Sequence, residues 1–190
     1  MGKVIVIVFA ALSLILIPVS LYYVADTSGS EPDFSLVFHG RFYDAKIGDY
    51  IDNPGFNFFK FTSTGENIFN PSAWNDAFSS ELVLGMPAGT LMMILWYVSM
   101  GVLLIGIIVA FFRVKISGIF FLLAFIADGL QALFWYLAMN QFYSSDPNVL
   151  FFPIPITALF LLATAIIAFT SKKKESYYYS PGYSYGYGRR

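Results

Sequence analysis

The chain has no cysteine and only one histidine among its 190 residues. The missing cysteines exclude disulfides, thiolate zinc sites, cysteine-ligated iron–sulfur clusters and cysteine nucleophiles. The single histidine, His39, precedes Asp44 and Asp49, but this spacing matches no known metal-ligand pattern, which favours an exposed or sheet-packed histidine. Gly-rich phosphate loops, Ser/His/Asp sets and HExxH motifs are also missing. We therefore expect neither an enzyme nor a cofactor or metal, and we identify no small-molecule substrate.

Charged residues are scarce as well, at 12% of the chain, whereas hydrophobic residues make up 57%. The mean hydropathy of +0.66 is too high for an ordinary soluble domain. Four apolar stretches account for it, and each is long enough to cross a hydrocarbon core of roughly 30 Å. They predict an α-helical integral membrane protein whose four-transmembrane-helix bundle is formed by residues 1–24, 88–112, 116–140 and 153–170.

The basic residues beside the apolar stretches predict how the chain is oriented. With a cytoplasmic amino terminus, these basic positions all lie inside: Lys3, Arg113, Lys115, Lys172–Lys174 and Arg189–Arg190. Residues 25–87 then lie outside, with nine acids against three bases, and so does the short loop 141–152. We therefore expect a multi-pass protein of the cell membrane with both termini in the cytoplasm. Its acidic outer face repels nucleic acid, so no nucleic-acid partner is expected.

The first apolar stretch also has features of a secretory signal, because Lys3 precedes it. Two observations favour a span that is retained. The apolar run continues past Pro18 to Val24, which is longer than a usual signal core, and a cut after Ala25 would have the bulky Tyr23 at the third position back. We therefore expect residues 1–24 to form a transmembrane helix that bends at Pro18 near its outer end.

Residues 25–87 contain short alternating runs separated by turn signals, a pattern typical of β-strands. They predict a small extracellular antiparallel sheet with strands at Phe34–Tyr43, Ile47–Ile51 and Phe56–Thr62, a turn at Asn53–Gly55 and a short helix around Trp74–Phe78. The aromatic face of this domain either packs on its own bundle or docks a partner. The candidate outer interaction residues are Phe34, Phe38, Trp74, Phe78, Phe142 and Tyr143.

This arrangement resembles the claudin and peripheral-myelin-protein superfamily: four spans, a first outer loop with a small sheet and a short helix, and a short second outer loop. Phe142–Tyr143 followed by Asp146–Pro147 is similar to the aromatic and proline motif of a claudin second loop. The signature tryptophan motif and paired cysteines are missing, and Trp74 is the only tryptophan in the first loop. The resemblance implies cell-surface adhesion or membrane organisation, without pore-lining or strand-forming residues to carry over.

Asp128 is the one residue inside an apolar stretch that suggests chemistry. It lies about midway along the third span, where a charged carboxylate costs a few kcal/mol and usually points into the bundle. Gln131 follows one turn later, and counting depth along the other spans predicts a polar layer of Asp128, Gln131, Ser13, Ser99 and Thr164. The layer either fixes helix register or forms a proton or cation site. The lack of a second acid, a base or a histidine favours the structural role.

Four glycines are candidate helix-contact positions, because glycine lets helices approach closely in lipid: Gly85, Gly89, Gly101 and Gly106. Residues 171–190 form a Tyr/Gly-rich cytoplasmic tail that cannot build a core and is expected to be disordered. In this tail, Lys172, Lys173 and Lys174 suit anionic lipid head groups, and tyrosines such as Tyr177 and Tyr183 suit weak stacking contacts.

Two classes of function remain open at this point. The first is a non-enzymatic membrane structural or interaction protein, which serves in adhesion, membrane organisation or as an accessory subunit. Its partners would be the lipid bilayer and either copies of itself or other membrane subunits. The second is a small proton- or ion-coupled channel or transporter that uses Asp128.

Overall fold

A computed structural model of the protein describes residues 2–17, 19–29, 33–40, 72–145 and 148–171. The described chain is mostly helical, with two long apolar helices and two small antiparallel sheets. In chain order its elements are α1 (Gly2–Leu16), β1 (Val19–Asp26), β2 (Asp33–Gly40), α2 (Ser72–Ala77), β3 (Leu82–Val83), β4 (Met86–Pro87), α3 (Ala88–Phe112), α4 (Val114–Phe142), a 3-10 turn (Tyr143–Ser145), β5 (Val149–Ile154) and α5 (Ile156–Thr170).

The four longer helices pack side by side. Helices α3 and α4 are joined by Arg113 alone, whose amide donates to the Val109 carbonyl and whose carbonyl accepts from the Ile116 amide. This tight connection makes α3 and α4 antiparallel neighbours, while α5 packs against both α4 and α1. Helix α1 also contacts α3, so that each longer helix has at least two helical neighbours.

The first and last apolar stretches are only partly helical, which corrects the prediction of continuous helices at 1–24 and 153–170. Helix α1 ends at Leu16 and strand β1 begins at Val19, whereas β5 occupies Val149–Ile154 and α5 begins at Ile156. The sequence contains the reason. Proline at position 18, and at 153 and 155, has no amide to donate within a helix. The β-branched and aromatic residues beside them favour strands.

The larger sheet has the order β2-β1-β5 and is antiparallel throughout. Its first strand comes from the predicted first span, and β5 comes from the predicted second loop and the start of the last span. Strand β2 (Asp33–Gly40) overlaps the strand expected at 34–43, and α2 overlaps the expected short helix. The strands expected at 47–51 and 56–62, and the turn at 53–55, lie outside the described residues. Among the described residues, the sheet joins β2 of the first loop to β1 and to β5 of the second loop.

Two hydrophobic clusters fill the interior at different heights. The upper one, called the aromatic cluster, joins the sheet to the helices and comprises Tyr22, Val24, Trp74, Phe78, Val83, Ala88, Met92, Trp96, Trp135, Ala138, Met139 and Phe151. The lower one, called the aliphatic cluster, lies between the helices and comprises Val6, Ala10, Ile17, Leu103, Ala110, Phe121, Ala124, Leu161, Ala165 and Ala168. Asp128 falls between the two on α4, since Ala124 precedes it and Trp135 follows it.

A two-residue hairpin links β3 to β4 directly before α3. Its central residues, Leu84 and Gly85, have φ angles of 53° and 77°, and Val83 pairs with Met86 across the turn. Two positive φ angles are the requirement of a type I′ turn, which usually has asparagine and glycine at these positions. Gln141 of α4 fixes the hairpin, because its side-chain amide accepts from the Leu82 amide at 3.0 Å and donates to the Leu82 carbonyl at 2.8 Å.

We predict that Leu84→Asn stabilises the protein. Leucine resists a left-handed backbone whereas asparagine tolerates it, and the Leu84 side chain is 81% exposed, so little packing is lost. The expected gain is about 0.5–1 kcal/mol in the free energy of unfolding, measured by denaturant titration in detergent. Leu82→Asn is the control, since Leu82 is also exposed but lies in a strand. An equal effect of both substitutions would refute the role of the turn.

Candidate functional site

Asp128 lines a small cavity where the helices meet the larger sheet, here called the junction cavity. Its volume is about 10 Å³, close to the minimum for one water molecule. Asp128, Gln131 and Trp135 line it from α4, Ser20 lines it from β1 and Trp74 lines it from α2. Residues 153–155, at the end of β5 and its connection to α5, line it as well. Asp128 is 1% exposed. The carboxyl group therefore lies inside the protein, at the level where α1 and α5 are replaced by strands.

Hydrogen bonds between α3 and α4 lie on either side of Asp128. The Gln131 side-chain amide donates to the Met92 carbonyl at 2.9 Å, and the Ser99 hydroxyl donates to the Ala124 carbonyl at 3.3 Å. All four groups are buried, so sliding one helix along the other would leave them without hydrogen bonds at a cost in free energy. Gln131 and Ser99 thus set the register of the two long helices.

Ser13 and Thr164 are buried, but they do not line the junction cavity with Asp128. The Ser13 hydroxyl donates to the Phe9 carbonyl, and the Thr164 hydroxyl donates to the Phe160 carbonyl, each within its own helix. The expectation of a common level assumed that the first and last spans are helical up to their outer ends, with a rise of about 1.5 Å per residue. Strands occupy those outer ends instead, and they rise about 3.3 Å per residue. The polar positions therefore form separate local contacts rather than one layer.

Thr157 joins the ends of two helices beside the junction cavity. Its hydroxyl donates to the Leu16 carbonyl at 3.0 Å, so the first turn of α5 supplies a donor to the last turn of α1. Carbonyls at a helix end have no partner within the helix and need such a donor. The sequence pattern did not single out Thr157, because its role depends on α1 ending at Leu16.

Rings from three elements surround Trp135 of α4. Its ring centroid lies 5.5 Å from Tyr22 of β1, 5.5 Å from Trp74 of α2 and 5.0 Å from Phe151 of β5. Trp74 and Phe78 are 1% and 0% exposed, so the expectation that they belong to an outer interaction surface is corrected: they pack inside the aromatic cluster. Tyr22 and Phe151 were missed as core residues, since their strands were assigned to a helix and a loop.

The structure describes the other candidate outer interaction residues only in part. Phe142 and Tyr143 are partly buried and contact each other with ring centroids 4.9 Å apart. The backbone of Phe34 and Phe38 lies in β2, and their side chains lie outside what the structure describes. The same holds for the tail candidates Lys172, Lys173, Lys174, Tyr177 and Tyr183. Among the described residues of β2, Leu36 is 58% exposed.

The four glycines have different surroundings. A methyl group on Gly89 would overlap the Trp74 carbonyl oxygen, and one on Gly106 would lie 2.8 Å from the Phe121 ring. Gly85 belongs to the hairpin turn instead, and a methyl group on Gly101 would meet no atom within 4 Å. Gly118 was missed, although a methyl group there would lie 2.8 Å from the Phe169 ring. The backbone of α2 thus lies too close to Gly89 for any side chain there. At Gly106 and Gly118 the close neighbours are phenylalanine rings, which can shift.

Among the described residues, basic side chains gather at one end of the molecule and Asp26 lies at the other. The Lys3 ammonium donates to the Phe111 carbonyl at 2.6 Å, which places it beside Arg113 and Lys115, and Gly2 lies against Ser171. At the opposite end, hydrogen bonds from the Ser28 side chain and backbone lower the pKa of Asp26. Within the described ranges no three His, Cys, Asp or Glu side chains are grouped to hold a metal ion.

No protein-family model, curated protein or solved structure matches the chain.

We predict opposite effects of alanine at two glycines of α3. Gly89→Ala forces its methyl group against the backbone of α2, which should lower the free energy of unfolding by about 1–3 kcal/mol. Gly101→Ala meets open space and should raise it by about 0.5–1 kcal/mol, because alanine favours the helix. Thermal unfolding of both variants in the same detergent tests this. Similar stability of the two variants would contradict the close contact at Gly89.

Proposed function

We propose that the chain is a non-enzymatic membrane protein with four transmembrane segments and an extracellular sheet, acting in adhesion, membrane organisation or as an accessory subunit. The observation that carries this proposal is the exposed apolar surface of the long helices. Helices α3 and α4 are long and apolar enough to cross a membrane, with mean hydropathies of 2.5 and 1.9. In the most apolar 18-residue stretch of each helix, only 28% and 39% is buried, respectively. The core helix of a soluble protein is mostly buried.

The outward faces of all four longer helices support the same assignment. Large apolar side chains are exposed along each of them, for example Val4 and Ile15 on α1, Ile108 on α3, Ile119 on α4 and Leu159 on α5. A soluble monomer rarely exposes apolar patches above a few hundred Å². In a bilayer, lipid tails cover such a surface, so its apolar side chains do not contact water.

Helices α1 and α5 have 15 residues each, about 22 Å of rise, so they do not cross a core of roughly 30 Å by themselves. The strand residues of β1 and β5 next to these helices complete the two segments, while the rest of the larger sheet lies outside the hydrocarbon core. Backbone in lipid must be hydrogen-bonded or covered by protein, and β1 meets this condition because it pairs with β2 on one side and β5 on the other. A short helix continued by a paired strand is therefore compatible with a span.

The ends of the molecule suggest its orientation. Lys3, Arg113 and Lys115 lie at the same end, and the positive-inside rule assigns that end to the cytoplasm. The larger sheet then faces outward. The order of elements (helix, two strands, short helix, two long helices, strand β5 and last helix) supports the resemblance to the claudin and peripheral-myelin-protein superfamily, with β5 lying where a short second loop is implied. We extend that resemblance to a role at the cell surface, with other copies or membrane subunits as partners.

We predict that single cysteines report this topology directly, because the chain has none of its own. Ser80 and Ser145 are exposed near the sheet, and Thr170 is exposed at the end of α5. In intact cells an impermeant thiol reagent should label Ser80→Cys and Ser145→Cys, and label Thr170→Cys only after permeabilisation. The unsubstituted chain is the control for background labelling. Labelling of all three positions from the same side would exclude the proposed four spans.

The second candidate is a proton- or ion-coupled channel or transporter, which the buried carboxyl of Asp128 favours. We predict a structural role for Asp128. Asp128→Asn preserves its shape and much of its hydrogen bonding, so stability should change little, whereas Asp128→Leu should cost about 1–2 kcal/mol per lost hydrogen bond.

Liposomes containing the wild type should therefore show no more proton or cation flux than protein-free liposomes. The Asn variant distinguishes the two candidates. If the wild type conducts and folded Asp128→Asn does not, the transport function is correct and the structural proposal fails. Unfolding free energies of both variants in one detergent provide the parallel readout of folding.

A further inference from the structure

The junction cavity contains polar groups from two different elements. Ser20 of β1 is 2% exposed and Trp135 of α4 is 3% exposed, and both line the cavity with Asp128. The Ser20 hydroxyl and the Trp135 indole N–H have no hydrogen-bond partner within the described part of the chain. A buried donor or acceptor without a partner costs about 1–3 kcal/mol. Two such groups at one small cavity indicate that the site takes a ligand.

The chemistry of the lining restricts what this ligand can be. An indole N–H only donates a hydrogen bond, and a carboxylate oxygen accepts one. The occupant must therefore accept from Trp135 and donate to Asp128, while the Ser20 hydroxyl can do either. A metal ion cannot accept from the indole, and an anion without a proton cannot donate to Asp128. Water satisfies both requirements.

The size of the cavity leads to the same ligand. A volume of about 10 Å³ accommodates the centre of about one water molecule and no larger organic group. Buried waters typically make about three hydrogen bonds, and Ser20, Trp135 and Asp128 supply three partners beside Gln131, whose amide nitrogen donates to the Met92 carbonyl. Cavities lined only by apolar groups stay dry, so the polar lining is what makes this one hydrated.

We propose that the junction cavity binds one water molecule, which accepts from Trp135 Nε1 and bridges the Ser20 hydroxyl and the Asp128 carboxyl group. This water joins β1 to α4 at the level where α1 has ended. It gives Asp128 a contact with the sheet as well as with the helices. The proposal does not depend on the orientation of the chain in a membrane or on its role at the cell surface.

The test is a measurement of water contact at the indole N–H of Trp135. In ¹⁵N-labelled protein in nanodiscs, the three tryptophans give three indole signals, and Trp→Phe variants assign them. The Trp135 signal should show a cross-peak to water despite its burial. Ser20→Val fills the cavity with methyl groups and should abolish this cross-peak, while Ser13→Ala, at a buried serine bonded within its own helix, should preserve it.

Three results would overturn the proposal. The first is a wild-type Trp135 signal without a water cross-peak, a result that needs no variant to fold. The second is a cross-peak that persists in folded Ser20→Val protein. The third is a shift of the Trp135 signal when sodium is replaced by choline, which would identify a cation site instead. Ser20→Ala keeps the space for water and should retain the cross-peak, so it controls for loss of the hydroxyl alone.

Discussion

The packing of aromatic rings on Trp135 is the interaction on which the architecture depends. Trp135 belongs to α4, yet its ring contacts β1, α2 and β5, with centroids 5.0 to 5.5 Å apart. Each such pair contributes about 0.5–1.5 kcal/mol beyond the burial of its surface. Because the chain has no cysteine to link the sheet covalently, these contacts and the β1–β5 pairing hold the sheet on the helices.

The two clusters have different residues because they join different elements. The aliphatic cluster contains five alanines, whose small side chains let neighbouring helices approach closely. The aromatic cluster has to fill the wider space between helices and a twisted sheet, and large rings do so. Polar groups lie at the boundary between the clusters, where Thr157 donates to the Leu16 carbonyl and where Asp128 and Ser20 line the junction cavity. Helix ends leave carbonyls that need donors, so polarity at this level has a structural cause.

The sequence predicted the elements that have clear ends and missed those that change type. Helix α3 was predicted from Ala88 to Phe112 as found, because Pro87 and Arg113 delimit its apolar run. The predictions for α1 and α5 were too long, since an apolar run alone does not distinguish a buried strand from a helix. Asp128 and Gln131 were identified as buried polar residues of an apolar run. Ser20, Tyr22 and Phe151 were missed because they reach the site only through strand pairing.

The contacts between α3 and α4 define the depth of Asp128. Gln131 contacts Met92, four residues below the outer end of α3, and Asp128 lies one turn lower. Asp128 is therefore about 10 Å below that end and about 8 Å above the midpoint of α3. In the proposed membrane this is the outer half of the bilayer, where a carboxyl group costs less than at the centre. The carboxyl group lies at the junction between the sheet and the helices, and the structural role that we propose for it accounts for its burial without a path for ions.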